Sequence, residues 1–392
     1  MMKTKKLLTA ALLLIAAGAA LAAAGYFSGA ERSAALGSRG VVIAASDSRA
    51  MKRQTGVPLK AFASVSADLK DSGVRFVPSD HYGMDVTYSE EAGKPEASVT
   101  DGTLRLTQPS SQSGRSWLRF NWGFTDSTKP GEVTVYYPKG TKMAQFSLQN
   151  DSGDVAVSGL SCGGMKLLCR YGGLSLDGVS CKTLDVQMEN GDADCSSVSA
   201  GTLSYRNSYG DGRFRTVRVT GNSSLHSSNG DVGLESCSLP DLTVSDDYGG
   251  VSLSSVKTKR LNATLGNGDL HITDSTAEDI LAKCSYGSVK ASGLESSGAD
   301  IRCGNGSVTL GGLLRGKTSL RSDYGTVSVK TSLPQQDYRC DCSTDYGSVT
   351  VAGRKYGKGV SIPTGAKNSL EITSGSGDIR VDFQSGADGA KA

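Results

Sequence analysis

The residues of this chain that could do chemistry are few, and their spacing argues against most of what they could do. Three histidines, His81, His226 and His271, lie far apart in sequence, so a histidine-based zinc site is not expected. Aspartate follows glycine in a recurring turn, at Asp154, Asp192, Asp231 and Asp269, which invites comparison with calcium-binding β-rolls. Those rolls use a nonapeptide repeat, whereas here Gly172, Gly249, Gly287 and Gly347 lack the aspartate, and side-chain capping of the turn is the expected role. Catalysis by carboxylates would need them to converge on one face. Asp246 and Asp247 are adjacent and point to opposite sides of a strand, while Lys257, Lys259 and Arg260 read as a solvated bend. No cofactor, metal site or enzymatic activity is expected. The remaining candidates are aromatic: Tyr171, Tyr209, Tyr248, Tyr286, Tyr324 and Tyr346 each precede a glycine, and Trp117 opens the cluster that ends at Phe124. Exposed, they would face a ligand; buried, they would pack.

What positions these residues is a repeat. Turn glycines fall at Gly153, Gly172, Gly191, Gly210, Gly230, Gly249, Gly268, Gly287, Gly306, Gly325, Gly347 and Gly377. Their spacing is 19, 19, 19, 20, then 19 five times, 22 and 30. Such self-similarity is the mark of a repeat architecture. Two and four residues after the glycine come apolar pairs such as Val155 and Val157, or Leu270 and Ile272, giving a strand with one apolar face. Seven after it come Leu160, Val179, Val198, Val217, Val256, Leu294 and Leu313. A second alternating strand follows, with Leu184 and Val186 or Leu242 and Val244 at twelve and fourteen. One such unit buries too little apolar surface to offset the entropy of ordering it, so units must stack into a continuous core. The expectation is an all-β, solenoid-like or β-helix-like ectodomain, with a meander of antiparallel hairpins as the alternative, since Asn-Gly is also the strongest hairpin signal.

The residue before the glycine alternates, with Tyr171, Tyr209, Tyr248, Tyr286 and Tyr324 interleaved with Asn190, Asn229, Asn267 and Asn305. A coil of one unit would put both types on one corner, and a coil of two units would separate them; the sequence leaves both open. Asparagine tolerates left-handed angles and suits a turn. The tyrosines are either structural stacking or a ligand-facing ladder.

Composition agrees with a thin, turn-rich core: fifty of 392 residues are glycine and 38% are hydrophobic. A net charge of +3, spread singly, gives no nucleic-acid footprint. Lys3, Lys5 and Lys6 precede an uncharged apolar run from Leu7 to Phe27, long enough to span a bilayer, with the lysines holding the N-terminus in the cytoplasm. Cleavage near Ala22, Ala24 and Gly25 as a signal peptide is the rival reading, and would make the chain secreted. Either way the remainder is expected outside the cytoplasm. The expected organisation is a basic tip (1–6), a membrane-anchoring helix (7–27), a linker (28–57), an N-terminal β region and cap (58–150), the solenoid (151–383) and a disordered tail (384–392). Leu118, Phe120, Trp122 and Phe124 share one strand face and suit a solenoid cap, which leaves Trp117 opposite as a sugar-stacking candidate.

In an extracytoplasmic chain nine cysteines suggest disulfides. Seven of them, Cys169, Cys195, Cys237, Cys284, Cys303, Cys340 and Cys342, fall on inward repeat positions, where cysteine acts as a small hydrophobe. Cys162 and Cys181 share another offset, nine after the glycine, one unit apart. Stacked strands lie about 4.7–4.9 Å apart, within the range a disulfide accepts. Cys162–Cys181 is therefore a candidate bridge, Cys284–Cys303 a second by the same logic, and free thiols the alternative.

The stretches NDSGDVAVSGL, SSNGDVGLESC, GNGDLHITDS and GSGDIRVDF, with the preface VTVYYPKGTKMAQFSLQN, resemble the DUF4097 family of bacterial adhesin-like proteins with β-strand repeats. The similarity spans roughly Lys60 to Phe383, and the Tyr-Gly turns depart from the commoner Asn/Ser-Gly-Asp form. The resemblance implies a β-helix-like ectodomain on a bacterial envelope, acting as an adhesin or envelope-binding module. Its partners would be cell-wall or host glycans, or envelope proteins. A protein-binding module in envelope-stress signalling and a carbohydrate-active enzyme are the alternatives to be tested against it.

Overall fold

The computed structural model describes residues 51–89, 92–109 and 131–384, together with the backbone strands Ser33–Gly37, Gly40–Ile43 and Leu118–Asn121. Its repeat is a parallel β-solenoid. Each coil holds a short strand such as Leu174–Asp177 and a long one such as Ser180–Asn190. The short strands stack on one another, as do the long ones, always parallel: Val155 faces Leu174, which faces Ala193, and Met165 faces Leu184, which faces Leu203. A coil is therefore one unit of nineteen residues rather than two, and the meander is ruled out for the repeat. Stacking with the same register in coil after coil explains why the same offsets stay apolar.

The inward positions form a single core. Val155, Val157, Leu160, Met165 and Leu167 of one coil are all at most 2% exposed, and their counterparts above them repeat this. Position seven departs once. Between Ala291 and Leu294 the overlying coil reaches its partner one residue early, so Leu314 is buried and Leu313 only half-buried. A local exchange of volume occurs at Gly212, which stands where most other coils carry valine or leucine. A Cβ there would lie 2.9 Å from the buried Tyr205 hydroxyl, and the Tyr205 ring packs edge-on against Phe214 at 5.1 Å.

Two bends turn the coil. The first is the corner at the turn glycines, such as Gly172 and Gly191. The second falls six residues later, where Gly159, Gly178, Ser197, Thr216, Ser236, Ser255, Asp274 and Gly293 hold left-handed φ between 47° and 64°. Short polar residues tolerate that region better than most, and glycine best.

At both ends the stacking order departs from the chain order. Val308–Ser322 pairs with Asn368–Ser374, which in turn pairs with Tyr338–Thr344, so the last coil in sequence is inserted beneath the one before it. The glycine spacings of 22 and 30 mark this excursion. At the other end Ser64–Leu69 lies directly against Lys142–Ser152, while Thr103–Thr107 lies outside it. Antiparallel strands then close the stack: Gly83–Ser89 and Met51–Pro58 at the N-terminal end, and Gly359–Ile362 against Tyr338–Thr344 at the other. They replace an open parallel edge, which would otherwise offer unpaired backbone groups to another chain.

The segment read as a linker, 28–57, contains strands: Ser33–Gly37 pairs with Gly40–Ile43 and with Leu118–Asn121, and Met51–Pro58 belongs to the cap. The expected anchor at 7–27, Trp117, Trp122, Phe124 and residues 385–392 lie outside the described residues. No helix of the described residues is long and apolar enough to cross a membrane.

All nine cysteines are buried free thiols, Cys162 and Cys181 included, so these two point inward with the other seven. Both suggested pairs are in register between adjacent coils, Cys162 with Cys181 and Cys284 with Cys303. In each pair one thiol hydrogen-bonds the other, which holds Cys162 and Cys303 below the usual thiol value and pushes Cys181 and Cys284 far above it.

Candidate functional site

Tyrosine and asparagine alternate up one corner of the solenoid. Tyr171 is in register with Asn190, Asn190 with Tyr209, Tyr209 with Asn229 and Asn229 with Tyr248, and Asn267 with Tyr286 further along. Every tyrosine of this series is exposed, from 57% at Tyr209 to 84% at Tyr346, in a molecule whose other large hydrophobic side chains are mostly buried. A tyrosine every second coil stands about 9.5 Å from the next, too far for one ring to stack directly on another. The last rung depends on the inserted coil. Ser376 N donates to Asp323 O and Tyr346 N to Gly375 O, so Ser376 sits between Tyr324 and Tyr346 as asparagine does between the others.

The glycine after each rung answers to stacking. A Cβ on Gly191 would lie 2.0 Å from the carbonyl oxygen of Gly172 beneath it, and one on Gly268 would lie 1.8 Å from Gly249 O. Backbone approaches backbone so closely that only glycine fits. The aspartate that follows the glycine caps the corner, but of the next coil: Asp154 Oδ1 accepts from Gly173 N at 2.8 Å, Asp192 from Asp211 N at 2.9 Å, Asp231 from Gly250 N at 2.8 Å and Asp269 from Ser288 N at 2.8 Å. These carboxylates are structural groups that satisfy corner N–H donors.

Beneath the corner, three residues before each glycine, a side chain points inward. Asn207 Nδ2 donates to Gly191 O and Gly210 O, Ser227 Oγ to Gly230 O and Ser322 Oγ to Gly306 O. Asp246 occupies this position in its coil and is 1% exposed, whereas Asp247 is exposed, so the adjacent pair does diverge. Burial, with the Asp231 and Asp247 charges nearby, pushes the Asp246 carboxyl up to about 7. The bend residues Lys257, Lys259 and Arg260 are exposed, with Arg260 Nε 2.5 Å from Asp241 Oδ1. His81, His226 and His271 stay apart: His81 contacts Asp80, His226 contacts Ser245, and His271 lies 3.7 Å from Asp269.

One feature escaped sequence reasoning. On the outward face of the long strands, four residues before the glycine, Lys283, Arg302 and Arg321 stack in register. The common offset was there to be read, but only the known coil length places these cations side by side. They line a shallow open depression of about 950 Å³ beside Tyr286 and Asn305.

The sequence model of the family described as Toastrack DUF4097 matches residues 63–239 and 235–355. No curated protein matches the chain. Among solved structures, one titled a putative adhesin from Bacteroides fragilis is 11% identical, with a TM-score of 0.23 over 85% of this chain and 97% of that one. A putative cell adhesion protein from Clostridium sporogenes is 13% identical, with a TM-score of 0.18 over 85% and 99%. A putative lipid binding protein from Parabacteroides distasonis is 10% identical, with a TM-score of 0.23 over 84% and 96%. Likenesses this weak carry no argument about ligand or role. The family match, by contrast, extends over most of the solenoid and its N-terminal cap, and the chain belongs to the DUF4097 Toastrack family.

Proposed function

We propose that this protein is a non-catalytic, adhesin-like binding module of the bacterial envelope that presents its tyrosine corner to a glycan polymer. The observation that carries the reading is the row Tyr171, Tyr209, Tyr248, Tyr286, Tyr324 and Tyr346, exposed at every second coil of one corner. A tyrosine ring offers an apolar face to the C–H face of a sugar and a hydroxyl at its rim. The spacing of about 9.5 Å is close to the length of one disaccharide in an extended β-1,4-linked polysaccharide. The asparagine or serine between two tyrosines supplies polar contacts for the intervening sugar. Retention of 7–27 as a membrane anchor, with the solenoid outside the cytoplasm, belongs to the same proposal and is supported by the lysines ahead of that apolar run.

Retention of the purified full chain on isolated cell-wall sacculi and on immobilised β-1,4-linked polysaccharides tests this. Saturable binding that weakens stepwise as Tyr171, Tyr209 and Tyr248 are changed to alanine is expected, because each rung contributes separately. Binding that survives removal of all the corner tyrosines, or capture of an envelope protein with no glycan bound, would overturn the reading.

A further inference from the structure

The corner is not uniform along its length. Toward its C-terminal end it becomes a ridged groove. Tyr248, Tyr286, Tyr324 and Tyr346 form ridges, Gly266 already lacks a side chain two residues before its turn, and at the same place Gly304 and Gly375 open into depressions. Neither Gly304 nor Gly375 is replaceable at low cost, since a Cβ would lie 2.8 Å from Ser285 O and 2.5 Å from Asp323 O respectively. The two depressions, of about 950 and 550 Å³, share Arg321, Asp323 and Thr373, so they run into each other.

Charge separates this stretch from the rest of the corner. Lys283, Arg302 and Arg321 line the first depression against a single carboxylate, that of Asp323, whereas the second holds Arg321 against Asp323 and Asp345, so the excess of cations lies at the Tyr286 end. Lys283 forms no ion pair among the described residues. Arg302 pairs with Asp300 on its own strand at 2.9 Å and Arg321 with Asp323 at 3.1 Å, and all four side chains are at least 37% exposed. Exposed pairs of this kind are worth little and exchange readily for another anion. At the same outward offset the middle of the solenoid carries Arg206, His226, Ser245 and Thr264, so three strong cations in consecutive coils begin only at Lys283.

We propose that the groove between Tyr286 and Tyr346 recognises an acidic polysaccharide, one carrying a carboxylate on each disaccharide. This rests on the tyrosine corner being a glycan surface. Sugar rings lie in the dents at Gly304 and Gly375, flanked by the tyrosine ridges. Asn305 meets a hydroxyl, and the carboxylates meet Lys283, Arg302 and Arg321. The remainder of the corner has no run of three cations in consecutive coils and adds length with less charge selectivity.

Carboxymethyl cellulose and hydroxyethyl cellulose share a β-1,4 backbone and differ in charge, so they serve as paired probes for the full chain. Tighter retention by the carboxymethyl polymer, reduced by added salt, is expected. The double substitution Lys283→Gln, Arg302→Gln should reduce that retention about tenfold, equivalent to about 1.4 kcal/mol, and leave the neutral polymer unaffected. Tyr324→Ala should weaken both. Unchanged thermal unfolding of these exposed-site variants identifies the effect as one on binding. Equal retention of both polymers, insensitive to the lysine and arginine changes but lost with the tyrosines, overturns this inference and leaves the glycan reading intact. Retention of inorganic polyphosphate as strong as that of the carboxymethyl polymer, and independent of Tyr324, reduces the groove to a charge patch and also overturns it. Failure to bind either polymer overturns both readings.

Discussion

Asp154 Oδ1 accepts a hydrogen bond from the backbone N–H of Gly173 at 2.8 Å, one coil further along the stack. The side chain expected to cap its own turn ties two turns together. Asp154→Asn keeps a carbonyl oxygen at that place and should leave stability nearly unchanged. Asp154→Ala removes the acceptor and should cost about 1 kcal/mol. Urea unfolding of the two variants decides between a cap and a free surface carboxylate, which would make them equivalent.

The corner glycines are required by the coil beneath them. Gly191→Ala would put a Cβ 2.0 Å from Gly172 O, at a φ of 139° that side chains rarely adopt, and should cost more than about 2 kcal/mol. Gly233 lies on the short strand with nothing within 4 Å of its Cβ position, so Gly233→Ala should be neutral or slightly stabilising. Thermal unfolding of the pair separates a stacking requirement from a general preference for glycine.

Asp246 makes stability depend on pH. In the coils of Ser227 and Ser322 the side chain at its position donates a hydrogen bond to a corner carbonyl, and a carboxyl can donate only when protonated. Neither of its oxygens makes a well-formed hydrogen bond, and the Tyr248 N–H offsets the burial only in part. Its value rises from 3.8 in the unfolded chain to about 7 in the fold, so between those limits the folded state holds a proton that the unfolded state has lost. The contribution is complete below pH 4 and declines as pH rises toward 7, by roughly 4 kcal/mol at most. Asp246→Asn should raise the melting temperature at pH 8 and flatten this slope. An unchanged slope would show that Asp246 is ionised without penalty.

The in-register thiols of Cys162 and Cys181 are placed to oxidise. Mild oxidant should produce a bond between them, seen as a chain lighter by two hydrogens and as a disulfide-linked peptide pair after digestion. Closing a loop of this length should add about 3 kcal/mol of stability. If all nine thiols alkylate in denaturant after the same oxidant exposure, the pairing does not form.

Much of the fold was legible because a solenoid repeats its requirements. Val155, Leu174, Leu270 and Val308 recur at one offset since each sits on the same inner face, and Gly172, Gly191 and Gly268 recur since each lies against the glycine below. The second bend was less visible: Gly159, Ser197, Thr216 and Asp274 share a backbone conformation and no residue type. Of the candidate surface, the tyrosines were named from their place before the glycine, yet neither their exposure nor their common corner followed from it.

By itself the sequence determined the strand pattern, the turn positions, the inward faces and the buried character of most of the cysteines, because local periodicity and side-chain polarity set these within one unit. The tertiary structure alone decided that a coil is nineteen residues, that Asp154 serves its neighbour, that the coil bearing Ser376 is inserted between those of Tyr324 and Tyr346, and that Lys283, Arg302 and Arg321 form one row. Each of these is a contact between units. Which unit lies above which is fixed by backbone pairing over long sequence separations, and at the two ends, where the chain leaves the stack and returns, no local signal records it.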